Sequence, residues 1–473
     1  MKTKLIKPLL AFVVLFVSMP MNAFEVDGIK YSILSEEDRT VVVGEQNKSD
    51  ISGVINIQKK IIHNSKTYTV TNIGEWAFGY CSSLTQINIP NSVTSIGESA
   101  FSGCTSLTQV NIPNSVTYIG GWAFDDCTSL TQVSIPDSVT SIGSNAFKGC
   151  KSLTQINIPN SVTSIGDRVF SWCSSLTQVN IPNSVTSIGE DAFRNCSSLS
   201  HINIPNSVTS IGHDAFLGCT SLTKVDIPNS VTSISGWAFG YCSSLTAINV
   251  EENNPTYSSM DGVLYSKDKT TLIQYPEGKK TETFDIPNTV TNIGYRAFYG
   301  CKSLTQIDIP NSVTSIGEVA FFSCESLTQV SIPNSVTSIG VQAFDYSNAL
   351  NVIYNMCDEP IECNPYFPDV VLMEATLYVP KGSLAAYEKV DPWRNFWHIE
   401  EMDFSGIEDV NSNTNSNITV NNGTIVVNGY AGEVEVFNTS GQLIYRGNDT
   451  YISNLNKGIY IVKAGTNVTK VAL

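Results

Sequence analysis

The sequence predicts a mainly β protein in which a solenoid of 23-residue units, capped at both ends, is followed by a small antiparallel β-sandwich. Three observations predict this fold. One 23-residue pattern fills the middle of the 473-residue chain, each unit carries two short stretches of strand character, and residues 418–473 alternate apolar and polar residues between turn signals. With 42% apolar and 15% charged residues, the composition excludes a disordered chain.

Residues 1–23 are predicted to be an export signal. Three lysines precede the short apolar run Leu9–Val17, and Ala23 offers a small residue before a cleavage site. This run is too short to cross a membrane, which takes about 20 apolar residues, so we expect no transmembrane span. A formal net charge of -16 argues against nucleic acid and anionic membranes as partners.

The repeat array is predicted to cover residues 73–347, with an insertion at 251–283. Its units are marked by one phenylalanine each, and the step of 59 residues from Phe239 to Phe298 is one period plus 36. Ten cysteines keep the same spacing, at positions 81, 104, 127, 150, 173, 196, 219, 242, 301 and 324.

One unit shows how the pattern encodes a coil. Leu84, Ile87 and Ile89 form the L-x-x-I-x-I strand signature of a leucine-rich repeat. Pro90 ends this strand because it has no N–H for a ladder, and a second extended piece leads to a turn at Gly97. One unit buries too few side chains to offset the entropy of ordering its backbone, so we expect folding only when neighbouring units stack.

The pattern C-x-S-L-T-Q-I-x-I-P-N-S-V-T-S-I-G-x-x-A-F resembles the BspA-like leucine-rich repeat surface proteins. Three further segments are similar to that family's N-terminal hairpin, mid-array insertion and closing helical cap: Phe24–Tyr31, Tyr257–Tyr265, and Leu377–Tyr387 with Trp393 and Phe396. The resemblance implies an N-terminal β cap at 24–72 and a C-terminal cap at 348–404. It also implies binding to host proteins, surfaces or other cells, without catalytic residues.

The C-terminal region is predicted to be a separate module, with a polar linker at 405–416 and a β domain at 417–473. The segments Val436–Leu443, Leu455–Val462 and Val468–Leu473 resemble the C-terminal sorting domain of the type IX secretion system of Bacteroidetes. This resemblance implies that the secretion machinery is a partner and that the protein reaches the outer-membrane surface or the medium. An ordinary accessory β domain is the alternative.

The ten in-register cysteines are predicted to be free and buried rather than bridged. Residues in one solenoid column lie about 4.8 Å apart with parallel side chains, whereas a disulfide needs Cβ atoms about 3.8 Å apart and converging. A single column also cannot surround a zinc ion. Cys357 and Cys363 lie outside the column, and for this pair both the bridged and the free state stay open.

Variation between units is concentrated after the turn glycine and after the phenylalanine, where aromatic residues recur. Exposed aromatics at these turns are our candidate contacts for a protein or glycan ligand, with packing against the next coil as the alternative. They are Trp76, Tyr80, Trp122, Trp172, Trp237, Tyr241, Tyr295 and Tyr299, with Phe322 beside them. The Gln and Asn rows along the first strand, from Gln86 and Asn88 onward, are predicted to form a solvated polar face.

Catalysis finds little support in the sequence. The four histidines stand in no catalytic motif, there is no phosphate-binding loop, and we expect no cofactor. The acidic pairs Asp125-Asp126 and Glu190-Asp191 allow Ca²⁺ binding but are more simply solvated charge. A non-enzymatic, adhesin-like surface protein is the leading hypothesis. A self-associating structural component and an enzyme acting through the insertion or the C-terminal cap are the alternatives.

Overall fold

A computed structural model describes residues 23–361 and 367–404, together with most residues between 418 and 472. The chain divides into two compact units. The first comprises the described residues up to 245 with 250–256, and the second comprises 246–249 and the described residues from 257 onward. The predicted fold class is confirmed, because stacked coils with short parallel strands form most of both units and a small antiparallel β region follows. In the described part of the chain, no helix has the length and apolarity needed to cross a bilayer.

The N-terminal strands begin both strand faces of the first unit. β4 pairs in parallel with β7 on the first face, and β6 pairs in parallel with β8 on the second face. Antiparallel pairs β1–β2 and β2–β3 extend the second face outward. The strands are β1 Ala23–Val26, β2 Ile29–Ser35, β3 Thr40–Val43, β4 Ser52–Asn56, β5 Lys60–His63, β6 Lys66–Ile73, β7 Ser83–Asn88 and β8 Ser95–Ile96.

Each following coil contributes a two-residue strand to the second face, and all but the coil of His201 contribute a strand to the first face. In the coil of Cys104, Val110 points inward between the exposed Gln109 and Asn111, and Pro113 follows this strand. The turn at Gly97 needs glycine, because a Cβ there would lie 2.7 Å from the Glu75 nitrogen of the previous coil. The strands are β9 Gln109–Asn111, β10 Tyr118–Ile119, β11 Gln132–Ser134, β12 Ser141–Ile142, β13 Gln155–Asn157, β14 Ser164–Ile165, β15 Gln178–Asn180, β16 Ser187–Ile188, β17 Ser210–Ile211, β18 Lys224–Ile227 and β19 Ser233–Ile234.

The core of the first unit consists of identical residues stacked coil upon coil. The phenylalanines from Phe78 to Phe239 are fully buried, and neighbouring rings are stacked with centroids 5.2–5.8 Å apart. Offset stacks of this kind add to the free energy gained from burying the rings. Because each ring packs on the one before, the 23-residue period is a requirement of packing.

Hydroxyl groups connect the coils outside this core. Thr108 Oγ1 donates to the Thr85 carbonyl of the previous coil at 3.1 Å, and Ser115 Oγ donates to the Val93 carbonyl at 2.5 Å. Equivalent bonds recur along the unit. The Thr and Ser of each S-L-T and N-S-V triplet are therefore retained because their side chains bond to the neighbouring coil.

Both strand ladders of the first unit are interrupted at one junction, between the coil of Phe147 and the coil of Phe170, and the first-face ladder is interrupted again at the coil of His201. β11 ends one sheet and β13 begins another, and β12 and β14 are separated in the same way. The Phe147 and Phe170 centroids are 5.8 Å apart, the largest spacing in this stack. Phe147 N–H still donates to the Val169 carbonyl at 3.0 Å, and Ser161 still bonds to Val139. The coils thus remain joined at the turn segment and at one corner.

We attribute this ladder break to Val169. Every other unit has alanine at this position, directly before the phenylalanine, and Val169 is fully buried. Two additional methyl groups in the alanine column add volume to a tightly stacked core, and we infer that the strands beside this junction separate to accommodate them while the turn segment stays bonded. Gly166 shows the result, because a Cβ there would lie 3.7 Å from the Ile142 carbonyl, whereas one at Gly97 would meet backbone atoms at 2.7 Å.

The second unit repeats the same construction. Its aromatic stack runs through Phe298, Phe321 and Phe344 and is extended by Tyr275 and Phe367, which lie one period before and after. The strands are β20 Ala247–Val250, β21 Tyr257–Met260, β22 Val263–Ser266, β23 Thr271–Gln274, β24 Thr283–Asp285, β25 Asn292–Ile293, β26 Gln306–Asp308, β27 Ser315–Ile316, β28 Gln329–Ile332, β29 Ser338–Ile339, β30 Val352–Asn355, β31 Thr376–Pro380 and β32 His398–Met402.

The C-terminal end of this unit is closed by strands β30, β31 and β32 and by short helices. The helices are α1 Asp369–Glu374, α2 Leu384–Tyr387 and a 3₁₀ turn at Trp393–Asn395. The buried Tyr387 hydroxyl donates to the Cys357 carbonyl at 2.7 Å, and Trp393 Nε1–H donates to the Ile361 carbonyl at 3.0 Å. The segment compared above with a helical cap is therefore part strand, because β31 continues the parallel ladder from β30.

The last described strands form two small antiparallel sheets around a shared core that includes Ile425, Val436 and Val462. One sheet has the order β33-β34-β37 and the other β36-β35-β38-β39. The strands are β33 Ile418–Asn421, β34 Thr424–Val427, β35 Val434–Asn438, β36 Leu443–Gly447, β37 Tyr451–Ile452, β38 Ile459–Ala464 and β39 Asn467–Ala472.

The eleven described cysteines are all buried, and none is bridged to another. From Cys104 onward, each column thiol of the first unit donates to the phenylalanine carbonyl 26 residues earlier, as Cys173 does to Phe147 at 3.2 Å. Ser347 occupies the same position in the second unit and bonds in the same way to Phe321 at 2.7 Å. The prediction of free, buried thiols is thus confirmed, while Cys363 lies outside the described residues.

Alkaline pH is expected to destabilise the solenoid through these thiols. Burial raises the pKa of Cys173 to about 12 from an ordinary value of 9.0, so below pH 9 the thiol is protonated in both the folded and the unfolded chain. Above pH 9 only the unfolded chain ionises, and each such thiol lowers the free energy of unfolding by about 1.4 kcal/mol per pH unit until the folded pKa is reached.

Urea unfolding of wild type and Cys173→Ser at pH 8, 9 and 10 measures this effect. Serine does not titrate, and Ser347 shows that the site accepts it. We expect wild type to lose about 1 kcal/mol more than the variant between pH 9 and 10, because the unfolded thiol is half ionised at pH 9. A difference between the two proteins that stays constant with pH would contradict the account.

Candidate ligand-binding surface

Two positions of every coil have a left-handed backbone, and they coincide with the variable positions of the repeat. The first lies two residues after the turn position and the second lies four residues later, with φ between +50° and +74°. We call these sets the first and second left-handed columns. The first contains residues 76, 99, 122, 145, 168, 191, 214, 237, 296, 319 and 342, and the second contains 80, 103, 126, 149, 172, 195, 218, 241, 300, 323 and 346.

The backbone of this turn segment forms a third ladder between coils. Trp76 N–H donates to the Glu98 carbonyl at 3.0 Å, and Tyr80 N–H donates to the Ser102 carbonyl at 2.6 Å. Phe78, between them, donates to Ala100 at 2.7 Å while its ring fills the core. The left-handed residues therefore have backbones fixed by the neighbouring coil and side chains that are free to vary.

The aromatic candidates of the first unit all occupy these columns. Trp76, Tyr80, Trp122, Trp172 and Tyr241 are between 37% and 52% exposed, and Trp237 is half-buried. Glycine, asparagine or aspartate would adopt a left-handed backbone at lower cost, and other coils use them there. The aromatic residues are thus found at positions where the left-handed backbone conformation favours other residue types.

The second unit contains one exception to the expected exposure. Tyr295 is exposed, and the Arg296 guanidinium lies 4.7 Å from its ring centroid. Tyr299, in contrast, is only 8% exposed and stacks on Phe322 of the next coil at 4.9 Å. The expectation of an exposed ring is wrong for Tyr299, because its ring packs along the array against Phe322. Basic residues lie next to two of these rings, Arg296 at Tyr295 and Lys48 at Tyr80. The repeat pattern does not predict these contacts.

Charged residues occupy the first left-handed column in three consecutive coils of the first unit. Arg168 Nε lies 2.9 Å from an Asp191 oxygen, and Arg194 lies 2.9 Å from Asp191 and 3.1 Å from Asp214. Glu190 also pairs with Arg168. The Glu190-Asp191 carboxylates are therefore engaged in ion pairs, which the sequence alone did not indicate.

Asp125 of the other acidic pair and His213 have equally local partners. Lys148 lies 3.5 Å from Asp125, whose pKa is raised by burial, and His213 Nδ1 lies 2.9 Å from Asp214. His201 lies in a stretch of its coil without an assigned strand. Among the residues that the structure describes, no three His, Cys, Asp or Glu side chains are grouped as metal ligands would be.

The strand face presents the amide rows in register. Gln86 pairs with Gln109 and Asn88 with Asn111, and the side chains are exposed. At the ladder break a shallow groove is lined mainly by Gln109, Asn111, Gln132, Ser134, Gln155 and Asn157. In the first unit this surface is almost uniform apart from His201 and the Lys224–Asp226 pair, whereas the turn edge differs from coil to coil.

Comparison with known proteins matches the repeats described above. A profile described as BspA type leucine rich repeat region (6 copies) matches residues 55–177, 163–277 and 274–358, which together span more than half of the chain. No curated protein matches the chain.

Two solved structures are similar over most of the chain. A leucine rich cell surface protein from Faecalibacterium prausnitzii A2-165 is 30% identical, with a TM-score of 0.55 and coverage of 81% of this chain and 95% of that one. A leucine-rich repeat protein from Bacteroides ovatus ATCC 8483 is 25% identical, with a TM-score of 0.50 and coverage of 80% and 100%. Neither the profile nor these structures indicate a catalytic family.

Replacing Tyr299 and Tyr295 separately with alanine distinguishes a packed ring from an exposed one within the same unit. We expect Tyr299→Ala to lower the free energy of unfolding by about 3 kcal/mol, because a buried aromatic side chain is lost. Tyr295→Ala should cost less than about 1 kcal/mol, mainly through its contact with Arg296. Urea unfolding measures both values, and equal losses would place the two rings in equivalent environments and refute the distinction.

Proposed function

The chain belongs to the BspA-type leucine-rich repeat family, and from this premise we propose that it is a non-enzymatic binding protein of the cell surface or the extracellular medium. Its ligand is a protein or glycan on host or bacterial surfaces, and its contacts lie on the turn edge formed by the two left-handed columns. The cell surface protein from Faecalibacterium prausnitzii is the similar structure that supports this location.

One observation carries the proposal: bulky aromatics occupy left-handed positions and stay exposed. Backbone strain at a position that glycine could fill is a sign of a side chain retained for its contacts. Tryptophan and tyrosine also contribute disproportionately to protein interfaces. The ladders, the core and the hydroxyl columns already account for the invariant positions, so the variable aromatics are the positions left for recognition.

Export is the second part of the proposal. The predicted signal at 1–23 directs the chain out of the cytoplasm, and the β module at 417–473 acts as the type IX sorting signal behind its polar linker. Sheets β33–β39 have a core of their own, which is consistent with a module recognised separately from the array. Residues 1–22 and 405–417 lie outside the described part of the chain.

Replacing Trp122, Trp172 and Trp237 together with alanine tests the turn edge. Labelled wild-type protein is first applied to host matrix proteins, glycans and partner bacteria to find a bound surface. We expect the triple variant to bind that surface at least about 30-fold more weakly, since a buried interface aromatic contributes about 2 kcal/mol or more.

The matched control replaces Gln132 and Gln155, which are exposed on the strand face. Solvated amides contribute little net free energy, so this variant should bind like wild type. Thermal unfolding must show that both variants are folded. Unchanged binding of the folded triple variant, with a large loss in the glutamine variant, would move the site to the strand face. Binding of the protein only to its own copies would favour the self-associating alternative.

Deleting residues 417–473 tests the sorting module. We expect the truncated chain to fold, because the second unit has a separate core that does not include this module, and to accumulate inside the outer membrane. Cell fractionation and surface labelling, with the full-length chain expressed at the same level, provide the measurement. Normal display of the truncated chain would show that the tail is not a sorting signal.

A further inference from the structure

Two coils of the first unit carry the same aromatic motif, Trp-Ala-Phe-Gly-Tyr-Cys-Ser-Ser-Leu-Thr, at 76–85 and at 237–246. In each, the tryptophan occupies the first left-handed column and the tyrosine the second. We call Trp76 with Tyr80, and Trp237 with Tyr241, the two aromatic platforms. The remaining coils vary at these positions and none repeats the pair.

Each platform is a built feature, because the glycine between its rings makes room for the tryptophan. A Cβ at Gly79 would lie 2.6 Å from Trp76 Cε3, and a Cβ at Gly240 would lie 2.5 Å from Trp237 Nε1. Neither glycine has a positive φ, so the backbone itself does not require glycine. The glycine is needed for the ring, which lies against the backbone.

The tyrosines lie beside these rings, nearly parallel to the tryptophan in the first platform and tilted from it in the second. Trp76 and Tyr80 are stacked with centroids 5.7 Å apart and planes 13° apart, and Tyr80 also rests on Gly103 of the next coil. Trp237 and Tyr241 are 4.8 Å apart with a tilt of 53°. Two exposed serines follow each platform, at 82–83 and 243–244. The result is an aromatic surface with hydroxyl groups at its border, and at the first platform Lys48 Nζ lies 4.6 Å from the Tyr80 ring centroid.

We propose that the two platforms bind an extended, neutral pyranose polysaccharide at two points along one chain. This deepens the proposed function, on which it rests, by naming the ligand class of the turn edge. Aromatic faces carry partial negative charge, and the C–H bonds on a pyranose ring face carry partial positive charge, so sugar and ring stack face to face. The net charge of -16 disfavours an anionic polymer. A proline-rich peptide would require a groove between aromatic ridges, whereas each platform is a surface patch.

The spacing supports engagement of one polymer by both platforms. They lie seven periods apart in the same unit, which at about 4.8 Å per coil is roughly 34 Å. A polymer longer than this gains avidity from the second contact, whereas a short oligosaccharide occupies the two platforms independently. Polymer and oligomer should therefore respond differently to loss of one platform.

The test uses the whole protein with cellohexaose and a soluble, uncharged cellulose ether as probes, and calorimetry and surface plasmon resonance as readouts. Trp76→Ala and Trp237→Ala are each expected to halve the stoichiometry for cellohexaose and to weaken polymer binding at least 100-fold. The double variant should bind neither probe. Gly79→Ala should reproduce Trp76→Ala without removing a ring, and Trp397→Ala, an exposed tryptophan of the C-terminal cap, should behave as wild type.

Several results would overturn the inference. The first is that the protein binds neither probe, and the second is that it binds the anionic β-linked polymer hyaluronate equally well. The third is that it binds a decaproline peptide in place of the glycans. The fourth is that the single variants lose equal affinity for the oligomer and for the polymer. Thermal unfolding of each variant must match wild type, and Gly79→Ala and Trp76→Ala are interchangeable if one of them fails to fold. If the wild-type protein binds neither glycan probe, while the Trp122, Trp172 and Trp237 changes still abolish attachment to a protein surface, a glycan is rejected as the ligand and the proposed function stands.

Discussion

The structure depends on the stacking of like residues at the coil spacing. A coil has no internal partner for most of its backbone groups, so its N–H and C=O groups pair with the coils before and after it. This pairing holds only if each buried side chain fits directly on its counterpart one period earlier, as the rings from Phe78 to Phe239 do. Identical residues satisfy this condition simply, which explains why the buried positions hardly change. Where an end would be left unpaired, β4 and β6 begin the ladders and β30 to β32 continue them.

The same constraint determines where the molecule can vary. Side chains that face the core or bond to the next coil cannot change without disturbing the stack. Side chains in the left-handed columns can change, because only the backbones of these residues pair with the next coil. Their backbone conformation favours glycine, asparagine or aspartate, so a tryptophan there carries a conformational cost that its contacts must offset. Val169 shows what happens at a core position: one larger side chain in the alanine column coincides with the loss of both strand ladders at a single junction.

Most of the architecture could be predicted from the period, because a repeated residue in a solenoid must lie in a column. Strands around Ile87 and Val110, buried thiols and the terminal β module followed from spacing and alternation alone. The Ala-Phe dipeptide that marks the units is absent at Tyr275 and Phe367, so the pattern does not predict their place in the aromatic column, one period from Phe298 and Phe344. The left-handed columns, the burial of Tyr299 and the ladder break were not predicted, since the sign of φ and the side on which a ring packs depend on the neighbouring coil.

Hydrogen exchange of the intact protein, read peptide by peptide along the first unit, tests the stacking constraint most directly. The account predicts that amides of 132–143 and 154–166 exchange faster than the equivalent amides of 109–120. It also predicts that Val169→Ala, which restores the residue found in every other unit, slows them to the rate of their neighbours. Uniform exchange along the wild-type unit, or fast exchange at this junction that persists in a folded Val169→Ala protein, would contradict the claim that the identity of column residues controls pairing between coils.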